Sequence, residues 1–293
     1  MRKFTLATAS TIDAHKSWLE QRNIPMISYT FELNEQVYID DCMEDTKRTL
    51  YSEMRKGNQP RTSQITVYAY YEFFRSLIEK DRNVLFMDMD RALSSSYFNS
   101  LKAAEQIRED YPESNLYIMD TRCVTAGLAM LVAKAADLAD EGKSMEEVIA
   151  WVEENRLKIS HRFVVDDLEW LRRGGRLSNS SAFIGSLLSI KPLIHVDDDG
   201  KLVAYAKVRG RKKALRTLLE NSETDMGNPS ETDVIIAHAD CLEEAEAFAQ
   251  SIKEKYPDLR SINIMELGPV IGCHVGPGLI AMVYNSRNTS RTA

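Results

Sequence analysis

The sequence predicts an α/β protein in two parts: a parallel α/β/α sheet domain over residues 1–160 and an α+β domain with a mixed sheet over residues 161–285. Two observations carry this. Up to residue 158, short apolar runs alternate with segments of helical periodicity, the pattern of a parallel sheet flanked by helices. After it the order breaks, and Asp197-Asp198-Asp199-Gly200 joins two extended runs as a hairpin. A length of 293 residues suits one large or two moderate domains.

Each element has a local reason. Residues 4–8 read as a strand, Ala9-Ser10-Thr11 as a turn and residues 13–22 as a short helix. Residues 25–37 alternate enough to be extended, with a turn at Leu33-Asn34-Glu35. A helix over 46–56 stops at Gly57-Asn58, and residues 60–64 form a polar loop. Thr66 caps a helix whose Tyr70, Phe73, Phe74, Leu77 and Ile78 follow i, i+3, i+4 spacing. Strands at 84–89 and 116–119 precede helices ending near 109 and 141, and Ser144 caps a further helix over 145–158. Beyond it, residues 163–166 are extended, and a short helix over 167–173 closes at Gly174-Gly175. Residues 181–189 are an apolar helical stretch. Strands at 191–196, 201–208, 233–238, 261–266 and 279–284 alternate with helices at 212–221 and 242–255. The polar tail 286–293 is expected to fray.

Composition narrows the function. A hydrophobic content of 44% and a charged content of 28% are ordinary for a soluble globular protein. A net charge of -7 argues against a general binder of nucleic acid or anionic membrane. Cys42, Cys123, Cys241 and Cys273 are scattered, without CxxC or zinc-ligand spacing, which points to reduced thiols in a cytoplasmic protein. The start of the chain lacks the apolar run of a signal peptide, and no stretch is long enough for stable membrane insertion.

The most informative segment is Gly268-Pro269-Val270-Ile271-Gly272-Cys273-His274-Val275-Gly276-Pro277-Gly278. Two readings of it stand: a stiff loop presenting an imidazole over a pocket, or a tight turn between strands. Thr62-Ser63 and Ser94-Ser95-Ser96 each precede a predicted helix. Their hydroxyls, beside unpaired backbone N–H groups, suit an anion, although simple N-capping explains each one singly. Asp88 and Asp90 share a strand face. They read as a polar strand end, with Arg91 as counter-charge, more readily than as a metal or acid/base pair. Gly174-Gly175-Arg176-Leu177-Ser178 lacks P-loop spacing. Phe183, Ile184, Leu187 and Leu188 serve either a core or an apolar tunnel. Lys207, Arg209, Arg211, Lys212 and Lys213 crowd where a helix begins, against its dipole, and suit a phosphate or an acidic protein surface as well as a solvated face. There is no GxSxG or HExxH, and His15, His161, His195 and His238 stand alone as structural residues.

Taken together and in order, six segments resemble the DegV family of bacterial fatty-acid-binding proteins over nearly the whole chain. They are Thr62-Ser63-Gln64, Leu93-Ser94-Ser95-Ser96-Tyr97, Gly174-Gly175-Arg176-Leu177-Ser178, Lys191-Pro192-Leu193-Ile194, Val208-Arg209-Gly210-Arg211-Lys212-Lys213 and the Gly268 to Gly278 segment. The resemblance implies two α/β domains with a lipid tunnel between them. It implies a long-chain fatty acid whose carboxylate is held by Thr62, Ser94 and His274, with Ser63, Ser95 and Gly272 completing the set and Phe183, Ile184, Leu187 and Leu188 along the tunnel. It also implies a non-catalytic role without cofactor. The protein would be the acyl-carrier subunit that presents the carboxylate to a fatty acid kinase, whose acyl-phosphate product feeds phospholipid synthesis. Arg209, Arg211, Lys212 and Lys213 are then the candidate docking surface. Where the family commonly has Asp-Ser-Thr, this chain has Ala9-Ser10-Thr11; Asp90-Arg91 replaces a Ser-Ser pair, Ser95 a glycine and Ile65 a proline. Two alternatives remain: a binder of another small carboxylate or carbonyl compound, and a stand-alone hydrolase with Ser94 as nucleophile and His274 as base.

Overall fold

The computed structural model describes residues 2–178 and 190–291. The first part runs β1 (Thr5–Ala9), α1 (Lys16–Gln21), β2 (Met26–Ile27), β3 (Thr30–Leu33), β4 (Gln36–Ile39), α2 (Glu44–Arg55), β5 (Arg61–Ser63), α3 (Val67–Ile78), β6 (Asn83–Asp88), α4 (Ser96–Asp110), β7 (Asn115–Asp120), α5 (Ala126–Asp140) and α6 (Met145–Asn155). Strands in the order β2-β1-β6-β7 form the predicted sheet, parallel throughout. The extended stretch after Pro25 does not simply continue it. β3 and β4 fold back through Asn34 (φ 52°) and Glu35 (φ 63°), two left-handed residues whose twist suits a tight hairpin. β5 adds to the other edge of β3, pairing Phe31 with Thr62. The expected polar loop at 60–64 is thus partly strand, because its backbone groups find partners in β3. Local capping follows the sequence: Ala69 N donates to Thr66 Oγ1 at 3.1 Å, and Ser144 with Glu147 makes a capping box.

The second part runs β8 (Ile159–Val164), α7 (Glu169–Gly174), β9 (Leu177–Ser178), β10 (Ile190–Val196), β11 (Leu202–Arg209), α8 (Arg211–Asn221), β12 (Asp233–His238), α9 (Leu242–Lys255), β13 (Ser261–Glu266), α10 (Pro269–Val275) and β14 (Ile280–Asn285). Among the described residues these strands form one mixed sheet in the order β13-β12-β14-β8-β10-β11-β9. Its side chains alternate as a sheet covered on both faces requires. Phe163, Ile194, Ala281 and Val283 join the core shared with the first sheet, while Val164, Leu193, Met282 and Tyr284 join a second core beneath α8 and α9. α5 lies between the two sheets, touching β1 on one side and β8, β12 and β14 on the other. Its alanines and Gly127 make that closeness possible, since a Cβ on Gly127 would sit 2.0 Å from His161 Nε2.

The polar tail expected to fray is tied down as far as Arg291. Arg291 N donates to Asp198 Oδ1 at 2.6 Å, and its guanidinium donates to the carbonyls of Arg122 and Arg156. Carbonyls left unpaired at loop ends supply acceptors that an arginine of the tail can reach.

Candidate functional site

The glycine-rich segment is built around a helix and not a loop. Pro269 opens α10 at a position where a missing N–H costs nothing, and Gly276 (φ 72°) ends it. The breakers lie at the two ends, so the helix survives between them. α2 fixes its entry: Tyr51 Oη donates to Leu267 O at 3.0 Å and Lys47 Nζ to Glu266 O at 3.2 Å. A Cβ on Gly272 would fall 2.8 Å from Tyr51 Oη, so glycine lets the two helices pack. Gly272 therefore faces α2.

This packing points His274, in the last turn of α10, toward β5. His274 Nε2 and Thr62 Oγ1 share a hydrogen bond of 2.9 Å. The other ring nitrogen abuts the end of α7, where a Cβ on Gly174 would lie 2.5 Å from Nδ1. Burial, with the Arg176 guanidinium nearby, holds the imidazole down at about 4, so it is neutral at physiological pH. A neutral ring has one donor and one acceptor nitrogen. With Nε2 protonated, the ring donates to Thr62 and leaves the Thr62 hydroxyl hydrogen for a bound oxygen.

Thr62, Ser63, Ser94 and His274 all line one cavity of about 530 Å³. Ser94 is buried, and Ser96 N donates to its Oγ at 3.2 Å, which leaves the Ser94 hydroxyl hydrogen unspent. Ser95 is exposed at the start of α4 and is not among the lining residues. The apolar wall comes from Met89, Leu93, Val124, Trp170, Val270 and Ile271. The positive charge comes from Arg61, Arg173 and Arg176. Arg176 Nε donates to Leu93 O at 3.1 Å and the same guanidinium donates to Gly174 O, bracing the cavity rim. Phe183, Ile184, Leu187 and Leu188 lie outside the described residues.

Sequence reasoning missed Tyr29, Trp170, Arg173 and Arg176 as wall residues. Arg176 was visible as a cation after two glycines; a tyrosine or tryptophan in an extended or helical run carries no such mark. Asp88 and Asp90 are buried polar ends. Asp88 accepts from Tyr70 Oη at 3.1 Å, and Asp90 accepts from Ala92 N at 2.7 Å. Arg91, expected as their counter-charge, instead approaches Asp120 at 3.4 Å. Among the described residues no group of three or more His, Cys, Asp or Glu is placed to hold a metal ion, and no helix is long and apolar enough to cross a membrane.

The basic cluster lies elsewhere. Arg209, Lys212 and Lys213 are exposed around the start of α8. Arg211 is half-buried, paired with Glu244 at 2.8 Å and donating to Gly278 O at 2.6 Å. It thereby links the cluster to the far end of the glycine-rich segment.

A family model described as "Uncharacterised protein, DegV family" matches residues 3–287. A DegV domain-containing protein of Clostridium perfringens is 40% identical over 285 residues, covering 97% of this chain and 98% of its own. A second, from Streptococcus pyogenes, is 35% identical over 289 residues, covering 98% and 99%. Solved structures agree. A DegV family protein from Thermus thermophilus, described as binding fatty acid, superposes with a TM-score of 0.87 at 27% identity, covering 98% of this chain and 100% of its own. DegV from Bacillus subtilis, described as a fatty acid binding protein, gives 0.83 at 28% identity over 98% and 100%.

Proposed function

This chain belongs to the DegV family, and we propose that it binds a long-chain fatty acid and presents the carboxylate to a partner fatty acid kinase. The observation that carries the reading is the Thr62–His274 hydrogen bond on the wall of a cavity that also holds Ser94. Thr62, Ser63 and Ser94 supply hydroxyl donors for a carboxylate, with His274 donating to Thr62 to orient it and Arg61, Arg173 and Arg176 lending positive potential. Such charge-assisted hydrogen bonds are stronger than neutral ones. The acyl tail packs on Met89, Leu93, Val124, Trp170, Val270 and Ile271, and each buried methylene contributes about 0.8 kcal/mol. Fatty acid binding by the Thermus thermophilus and Bacillus subtilis relatives supports the choice of ligand.

Phosphoryl transfer depends on positioning and charge stabilisation, so a carrier that holds the acceptor carboxylate needs no nucleophile of its own. The exposed Arg209, Lys212 and Lys213, joined through Arg211 to Gly278, are our candidate surface for an acidic kinase face. The hydrolase alternative finds less support. The described hydrogen bond of His274 goes to Thr62, and Gly174 stands beside Nδ1 where a triad needs a carboxylate to orient the ring.

Native mass spectrometry of freshly purified protein tests the reading. A co-purified acyl chain, or uptake of a long-chain fatty acid after delipidation, is the expected result. Protein that is lipid-free and takes up no fatty acid contradicts it.

A further inference from the structure

A second polar layer lies behind Ser94. Tyr29 is 2% exposed, lines the cavity, and its hydroxyl stands among those of Ser94, Ser96 and Tyr70. Among the described residues, Tyr29 Oη makes no well-aligned hydrogen bond. Buried tyrosine hydroxyls normally find a partner, and one left open on a cavity wall marks a position where a ligand atom belongs. Behind it, the fully buried Tyr70 spends its hydroxyl hydrogen on Asp88 Oδ2 at 3.1 Å, and Asp88 Oδ1 accepts from Met89 N at 2.8 Å. While Asp88 is ionised, Tyr70 offers its neighbours only an oxygen lone pair, which competes for the Tyr29 hydrogen; a protonated Asp88 donates to Tyr70 instead, Tyr70 donates to Tyr29, and Tyr29 keeps its own hydrogen to give.

Resting on the fatty-acid reading above, we propose that Tyr29 is a further head-group residue, its hydroxyl donating to the bound carboxylate, and that the Asp88–Tyr70 pair positions it. Because a hydrogen bond to a charged oxygen is the stronger one, this donor favours a chain ending in a carboxylate over one ending in a neutral group.

Asp88 gives the arrangement a pH signature. Burial pushes its carboxyl up to about 7, with Asp120 of β7 adding repulsion. The other groups facing it are the hydroxyls of Tyr70 from α3, Tyr29 and Tyr97 from α4. Arg91 and Arg122 engage Asp120, at 3.4 and 2.9 Å. As pH rises through this range Asp88 gains charge behind the bound carboxylate, and affinity for the acid falls.

The test is titration of palmitate and its methyl ester into delipidated full-chain wild type, Tyr29→Phe and Asp88→Asn from pH 6 to 8. Tyr29→Phe should weaken palmitate about tenfold, with a smaller change for the neutral ester, which also reports that the cavity is intact. Asp88→Asn should flatten the loss of palmitate affinity seen in wild type on going from pH 6 to 8. Wild-type palmitate affinity in Tyr29→Phe overturns the assignment of Tyr29 while leaving fatty acid binding untouched. Matching pH profiles for wild type and Asp88→Asn overturn the positioning role. Wild type that binds neither compound overturns the fatty-acid reading and this inference together.

Discussion

His274 Nε2 and Thr62 Oγ1 meet at 2.9 Å although 212 positions separate them in the chain. The bond fastens α10 to β5, so the wall of the cavity is a contact between remote segments and not a local motif. Thr62→Val keeps the shape of the side chain and removes its hydroxyl. Its expected effect is a loss of acyl-chain affinity of about tenfold, the size of a hydrogen bond to a charged group. His274→Ala should lose at least as much. Calorimetric titration of delipidated protein measures both.

Gly174 separates binding from stability. An alanine here suits a helix end, yet its Cβ would stand 2.5 Å from His274 Nδ1 and the imidazole must swing away. Gly174→Ala should change unfolding free energy by less than about 1 kcal/mol. The same variant should bind fatty acid about tenfold more weakly, as expected for a lost charge-assisted bond. Chemical denaturation and a binding titration on one preparation read the two effects.

The buried acids set a pH dependence of stability. Burial pushes Asp40 up to about 7 in the folded protein, whereas an aspartate in the unfolded chain ionises near 4. Between these values the native state holds the extra proton, so this contribution is present at low pH and lost as pH rises through about 7. Asp40→Asn removes the titration and relieves the neighbouring Asp13, itself raised by burial and by Asp40. Relative to wild type, it should be more stable at pH 8 than at pH 4.5 by on the order of 1–3 kcal/mol. His274 acts in the opposite sense. Held at about 4, it binds a proton more readily when unfolded, so its contribution is complete above about 6.5 and is lost as pH falls. Urea unfolding across pH 4–9 resolves the two.

Charge reversal tests the docking surface. Lys212 and Lys213 are exposed on α8 and line a groove distinct from the Thr62–His274 cavity. Lys212→Glu combined with Lys213→Glu should leave fatty acid affinity unchanged and slow ATP-dependent acyl-phosphate formation by the proposed partner kinase about tenfold or more. Loss of affinity with unchanged turnover by the kinase would place the surface wrongly.

The elements that could be read in the sequence are those with local causes. Thr66 and Ser144 announce their helices by capping chemistry that needs no tertiary partner. Strands of the mixed sheet show as short continuous apolar runs, as at 234–237 and 280–284, since each face meets its own core. What escaped depends on distant partners. Residues 61–63 look like loop until β3 supplies an edge. Residues 269–275 look like a turn until α2 packs on Gly272 and fixes them as a helix. Thr62, Ser94 and His274 carried a chemical hint in their types, but only the fold places them on one cavity. Tyr29 gave no hint, because an aromatic residue in an extended run looks like core. Residues 286–291 are polar throughout, and their anchoring rests on carbonyls of Arg122 and Arg156 that no pattern reveals.

An acyl chain, and not merely a carboxylate, is the ligand proposed for this cavity. The most direct measurement is the affinity of delipidated protein for a series of saturated fatty acids of increasing length. Each added methylene is expected to tighten binding about fourfold until the apolar wall is filled. Affinity indifferent to chain length would contradict it and favour a small carboxylate or carbonyl compound as the ligand.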